Sequence, residues 1–357
     1  MSATLEHVRA SVAVAIGERL VGDAPAYIVA EIGVNHDGEL RKALDLVDVA
    51  ADAGADAVKL QIFDADDLVL PGARLAEYQR GGPDDGQHAL LKRLQLSFHE
   101  CEHIRARCES RGVECLATPF GPRDVERLIA LRLRAAKIAS TDLNNVPLLR
   151  RASQTGLPLI VSTGASMADE IAACVERFES WGARERLILL HCVSAYPTPV
   201  ESANLRAIGA LADRFGVPCG FSDHTTSVQT GAWAVAAGAS LLEKHLTLDR
   251  RANGPDHAMS LEPSEFAAYV REARAAEAAL GDGELGFQAI EADVRAAARK
   301  SVVSAQPIPR GVAIRPEMLS IKRPAGGVSP DQLDAVVGRK LRIDIGRDTP
   351  ITWDMLA

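Results

Sequence analysis

The sequence predicts a (β/α)8 barrel followed by a small β-rich domain, on three observations. First, eight short runs rich in β-branched and apolar residues recur at 27–31, 57–61, 113–118, 135–140, 158–162, 187–192, 217–222 and 241–245. Second, stretches with 3.6-residue apolar periodicity lie between them, at 40–53, 97–110, 123–131, 167–181, 204–215 and 227–237. Near-continuous apolar strands alternating with helices argue for a parallel sheet covered on both faces. Third, small-residue stops such as Ala53-Gly54-Ala55, Thr155-Gly156 and Ala237-Gly238-Ala239 stand where helix C-caps feed the next strand. Eight such units in about 220 residues is the size of this barrel. A doubly wound open sheet is the rival, but it opens on a Gly-rich turn, and no G-x-G-x-x-G follows the first run.

Residues 1–26 precede the first run and are expected to form a hairpin that closes the barrel floor. They lack the basic-then-apolar order of a signal peptide. The barrel domain then spans 27–282. An insertion at 64–96, containing RGGPDDGQH, is long enough to be a lid or substrate loop. A helical pattern at 263–280 completes the barrel, 283–298 reads as a linker, and 299–357 carries short β-like runs separated by turns.

Composition narrows the function. A net charge of −8, with no Lys/Arg-rich run, gives no footprint for nucleic acid. No apolar run approaches the roughly 20 residues that span a bilayer. Neither nucleic acid nor membrane is therefore expected as a partner. Six cysteines without a C-x-x-C pair read as free thiols in a reducing compartment, so a cytoplasmic location is expected.

In a barrel the C-terminal strand ends converge on one mouth, where such folds hold their chemistry. Here those ends carry Glu31; Lys59 and Gln61; Thr118; Lys137, Ser140 and Asp142; Ser162; Ser194 and Tyr196; Ser222 and His224; and Glu243 and His245, with Asp256 soon after. Any one polar strand end is unremarkable, but eight together are a signal. Strand lysines are costly to bury without an anionic partner. Lys59 and Lys137, with Thr118 and Ser162, make a ring of donors suited to phosphate and carboxylate oxygens. His224 and His245 end neighbouring runs and are placed to share one divalent ion, leaving positions open for water or substrate. His191 lies earlier in its run and reads as packed; His36 fits either part. A lysine Schiff base is the rival chemistry, although it leaves the histidines without a task. A non-catalytic saccharide-binding barrel is the second rival.

The ordered blocks AEIGVNHDG, VKLQIF, ATPF, KIASTDLNNVPLL, STGAS, LLHCVSAYPTP, FSDHT, EKHLT and GPDHAMSLEP resemble the sialic acid synthase family, the phosphoenolpyruvate-dependent synthases of nonulosonic acids. The tail from KSVVSA to GRDTPI resembles the antifreeze-like SAF domain, a β-clip fold, that follows the barrel in that family. The resemblance implies condensation of phosphoenolpyruvate with an N-acyl hexosamine. It implies a divalent metal on His224 and His245, Mn2+ first with Mg2+ or Co2+ as alternatives. Glu31 and Lys59 join those histidines as catalytic residues. Lys59, Thr118, Lys137, Ser140, Ser162, Ser194 and Ser222 fall to phosphoenolpyruvate, and Gln61, Asp142, Tyr196, Asp256 and Arg323 to the sugar. It also implies a domain-swapped homodimer in which Arg323 reaches the partner's site. Four departures bear on the sugar. Asp142 stands where several members have Glu, and Ser194 where some have Asn. The 80–88 loop lacks an Asn, and GPRD follows TPF. N-acetylmannosamine, a diacetamido sugar and another aldose all stay open as acceptors.

Overall fold

The computed structural model describes residues 13–22, 25–76, 79 and 84–357. The chain divides into two compact units, Met1–Gly281 and Asp282–Ala357. The first opens with β1 (Val14–Ile16) and β2 (Arg19–Val21), an antiparallel hairpin. The rest of the predicted 1–26 extension, at 1–12 and 23–24, lies outside the described residues.

Eight parallel strands then close into the predicted barrel. They are β3 (Tyr27–Glu31), β4 (Ala57–Ile62), β5 (Glu114–Pro119), β6 (Ala136–Ile138), β7 (Leu159–Ser162), β8 (Leu187–Cys192), β9 (Cys219–Asp223) and β10 (Leu241–His245). They run in sequence order, and β10 pairs with β3 to complete the ring. The fourth strand is shorter than the sequence suggests because Ser140–Asp142 turns into a single 3-10 turn.

Two apolar layers hold the barrel. Inside, Tyr27, Val29, Ala57, Leu116, Ile160, Ile188, Leu190 and Leu241 pack against Val14, Ile16 and Val21, so the hairpin stoppers the N-terminal end. Outside, Phe221, Leu242 and Leu246 face helices that bury Leu46, Ile104, Leu128, Phe178, Phe266 and Tyr269. The helix Phe98–Arg111 shows how locally the sequence sets this arrangement. Ser97 and Glu100 form a capping box at its start, Cys101, Ile104 and Cys108 make its buried stripe, and Gly112 ends it in the left-handed region at φ 69°.

Within the insertion lie the helices Ala65–Leu68 and Gln87–Leu94. Residues 77–78 and 80–83, which include all of RGGP, lie outside the described residues. The helix Val146–Ser153 was not anticipated. It is only eight residues long, too short to show a period, and starts at the side-chain cap of Asn145 on Leu148 N–H.

The second unit contains β11 (Ser301–Ser304) antiparallel to β12 (Leu319–Lys322), over a core of Val302, Ile308, Ile314, Val336, Leu341 and Ile351. Residues 283–298, read from sequence as a linker, carry the short helix Ala292–Ala298 and fall within this unit. Among the described residues no helix is long and apolar enough to cross a membrane.

Candidate active site

Side chains alternate along a strand, and that alternation builds the site. On β10, Glu243 and His245 line a cavity of about 480 Å³ at the barrel mouth, as do Ser222 and the adjoining His224 from β9. Glu31, Lys59, Gln61, Thr118, Lys137, Ser140, Asp142, Ser162, Tyr196 and Asp256 line the same cavity. Its outer wall is supplied by Leu68, Val69, Gln87, Leu90 and Leu91 of the insertion, with Phe63 and Phe120.

The inner part is ionic. Lys59 Nζ pairs with Glu31 Oε2, stands 3.7 Å from Glu243 Oε1 and donates to Thr118 Oγ1 at 3.0 Å. Lys137 Nζ donates to the Ile138 carbonyl at 3.2 Å and stands 3.9 Å from Glu243 Oε1. Glu243 therefore serves both lysines and also accepts from Ser222 Oγ at 3.1 Å. Burial depresses both ammonium groups. At Lys59 the Glu243 and Glu31 carboxylates more than reverse this, whereas at Lys137 burial prevails and the group sits below the ordinary lysine range. Burial pushes the Glu31 carboxyl up, against the pull of Lys59. Gln61 Nε2 donates to Glu31 Oε1 at 3.3 Å. Gly33 leaves room for this pair, since a Cβ there would collide with Glu31 Oε1 and the Gln61 side chain.

Donor capacity is left over. Ser162 Oγ is buried without a hydrogen-bond partner. Ser140 Oγ accepts from Gly164 N–H at 3.2 Å and lies 3.0 Å from Cys192 Sγ. Ser194 does not line the cavity, but its hydroxyl is likewise buried and unpartnered beside Gly164, where a Cβ would stand 2.5 Å from it.

At the outer end of β9 and β10 the two imidazoles lie with ring centroids 5.6 Å apart. His224 Nδ1 is 2.8 Å from the Val193 carbonyl. A carbonyl only accepts, so the proton sits on Nδ1 and the Nε2 lone pair is free. Burial holds His224 below the ordinary histidine range and His245 well below it, so both are neutral near pH 7. His245 Nδ1 is buried without a hydrogen bond, 3.6 Å from Asp256 Oδ2. Two neutral imidazoles with unused lone pairs, one of them orphaned in the interior, fit a divalent cation. Among the described residues no group of three or more His, Cys, Asp or Glu side chains is arranged to hold a metal. A cation held by these two histidines would leave coordination positions open for water or substrate.

The outer rim holds the residues expected at a sugar. The Tyr196 ring lies 4.5 Å from that of His224. Burial and the neighbouring Glu31 raise Asp256 to about 7. Burial also raises Asp142, against the Asn145 amide that donates to it at 2.9 Å. Arg323 belongs to the second unit, where it is exposed just past β12. His191 has a packing role, bonded to the Ala203 carbonyl and stacked on Phe221. His36 is buried in the loop after β3, where Nδ1 accepts from Gly38 N–H, and it does not line the cavity. Glu243 was given no role from sequence. The available signal was its place two residues before His245, hence on the same face.

Comparison with known proteins adds the relatives. The chain matches the NeuB family over residues 46–285 and the SAF domain over residues 299–357. The chain belongs to the NeuB family. It is 36% identical to the N,N'-diacetyllegionaminic acid synthase of Legionella pneumophila over 92% of this chain and 94% of that one. An uncharacterized protein of Methanocaldococcus jannaschii is 39% identical over 96% of this chain and 98% of its own length. Among solved structures, the N-acetylneuraminic acid synthetase of Leptospira borgpetersenii, crystallised with citrate, is 35% identical. It covers 79% of this chain and 94% of its own, at a TM-score of 0.71. This NeuB-family chain is thus a carbon–carbon bond-forming transferase of the sialic or nonulosonic acid synthase type, built as a TIM barrel followed by a SAF domain.

Proposed function

We propose that the enzyme condenses phosphoenolpyruvate with the open-chain form of an N-acyl hexosamine, either N-acetylmannosamine or a 2,4-diacetamido sugar. C3 of the enolpyruvate bonds to the aldehyde carbon, water adds at C2, and the C2–O bond breaks to release inorganic phosphate. The observation that carries this reading is one cavity with two lysine cations and the unpartnered Ser162 hydroxyl at its inner end and two neutral imidazoles further out. Lys59, Lys137, Thr118, Ser140, Ser162 and Ser222, with Ser194 beside them, bind the phosphate and carboxylate oxygens. A divalent cation, Mn2+ before Mg2+ or Co2+, would be held by His224 and His245 and would polarise the aldehyde carbonyl. Glu31, its carboxyl raised by burial, orients the attacking water or moves its proton. Gln61, Asp142, Tyr196 and Asp256 face the sugar.

Arg323 completes the sugar site of a second copy in a domain-swapped homodimer. Its exposed guanidinium, for which the described residues supply no ion pair, supports this. Six free, buried thiols support a cytoplasmic location.

The deciding experiment measures phosphate release from phosphoenolpyruvate against a panel of N-acyl and diacetamido hexoses, with and without Mn2+. Acceptor-dependent release that stops with EDTA is expected. A second reading draws on Lys137, whose depressed ammonium suits Schiff-base chemistry. Borohydride trapping of pyruvate on Lys137 in EDTA-treated enzyme would favour it.

A further inference from the structure

The strand ends that carry the imidazoles also have an outer side. Around the barrel that side is apolar, and on these two strands Phe221, Leu242 and Leu246 belong to it. Asp223 and Lys244 interrupt it. They are register partners on β9 and β10, both side chains are fully buried, and Nζ lies 3.1 Å from Oδ2. Replacing such a buried pair by well-packed apolar groups is often neutral or stabilising, so stability alone is a poor reason for its presence here.

What the pair supplies is direction. Lys244 Nζ also donates to the Thr225 carbonyl, one residue past His224, and sits 5.3 Å from the centre of the Tyr269 ring. Asp223 Oδ1 accepts from Thr225 N–H at 2.8 Å, and Oδ2 accepts from Thr230 Oγ1. Both polar backbone groups of Thr225 are thereby tied down, and β9 is bolted to β10 one residue before His224 and His245.

We propose that Asp223 and Lys244 are positioning residues that fix the spacing and aim of the two imidazoles from behind. This rests on the reading of His224 and His245 as a cation site. Their clamp sets how tightly and in what geometry the imidazoles hold a metal without touching it.

The test uses the full-length, metal-free chain titrated with Co2+, followed by visible absorption and calorimetry, with H224A as the control that should lose the bands. The double variant D223L/K244M replaces the pair with apolar side chains. It should keep its circular dichroism spectrum, bind Co2+ about tenfold or more weakly and show shifted absorption bands. T230V removes a single hydroxyl from Asp223, so it keeps the test available if the double variant does not fold; its bands should move in the same direction. Bands and affinity unchanged in folded variants would overturn the clamp. A wild-type chain with no Co2+ bands would overturn the cation site, and the clamp with it. Those two failures are distinct.

Discussion

Glu243 stands between Lys59 and Lys137, its Oε1 3.7 Å from one ammonium and 3.9 Å from the other. Both lysines are buried, so this carboxylate is the counter-charge they share. At both it is the strongest influence opposing burial, but Lys59 also pairs directly with Glu31, whereas at Lys137 burial prevails.

Glu243→Gln should therefore act mainly through Lys137. Losing the carboxylate lowers an ammonium pKa that burial has already depressed, so a larger fraction of Lys137 is neutral at any given alkaline pH. The alkaline limb of kcat/KM for phosphoenolpyruvate should move to lower pH. A pH–rate profile that coincides with wild type would refute this.

His224→Ala should reduce phosphate release at least about a thousandfold, the scale of losing several kcal/mol of charge stabilisation. The variant should still fold, because among the described residues its side chain gives up one hydrogen bond, that of Nδ1 to the Val193 carbonyl. Normal turnover in the variant would remove the imidazoles from the reaction.

Arg323→Ala should raise the KM for the sugar while leaving that for phosphoenolpyruvate nearly unchanged. Mixing this variant with His224→Ala should restore part of the lost activity, because a hybrid dimer contains one site intact in both residues. No recovery on mixing, or an effect on phosphoenolpyruvate alone, would argue against the swapped arrangement.

His36 should govern part of the acid sensitivity of the fold. Burial lowers it from 6.5 to about 4, and its Nδ1 accepts from Gly38 N–H. Protonation then favours the unfolded chain. Stability is complete above pH 6.5 and falls as the pH drops toward 4, by about 3 kcal/mol at full extent. His36→Asn keeps an acceptor for Gly38 and should flatten that slope in urea melts between pH 4 and 7.

Ile16→Ala tests the hairpin stopper. Ile16 is fully buried against the strand residues beneath the cavity, so its truncation should cost about 2–4 kcal/mol in urea unfolding. Truncating the exposed Leu20 of the same hairpin should cost far less.

The barrel was legible because its strands are nearly all apolar and its helices amphipathic, so period and spacing carry the topology. The mouth was legible because lysine and histidine are out of place at strand ends. Glu243 was harder: it stood among the polar strand ends, but a carboxylate's partners depend on strands far away in sequence, as Lys59 and Lys137 do. Ser194 was placed by resemblance, and its position against Gly164 could not be read from spacing. The pairing of Asp223 with Lys244 depends on the β9–β10 register, which a single sequence does not reveal.

The β1–β2 hairpin has a kinetic consequence. With Val14, Ile16 and Val21 filling the bottom of the barrel, everything must enter and leave by the same opening. Glu243, which both lysines approach, lies two residues deeper along β10 than His245, about 6.6 Å at the usual rise per residue. In such a blind shaft, whatever binds at the bottom must arrive before the molecule above it and depart after that molecule has gone. On the proposed reaction the anion would be first in and its phosphate last out, so free phosphate should compete with phosphoenolpyruvate but not with the sugar.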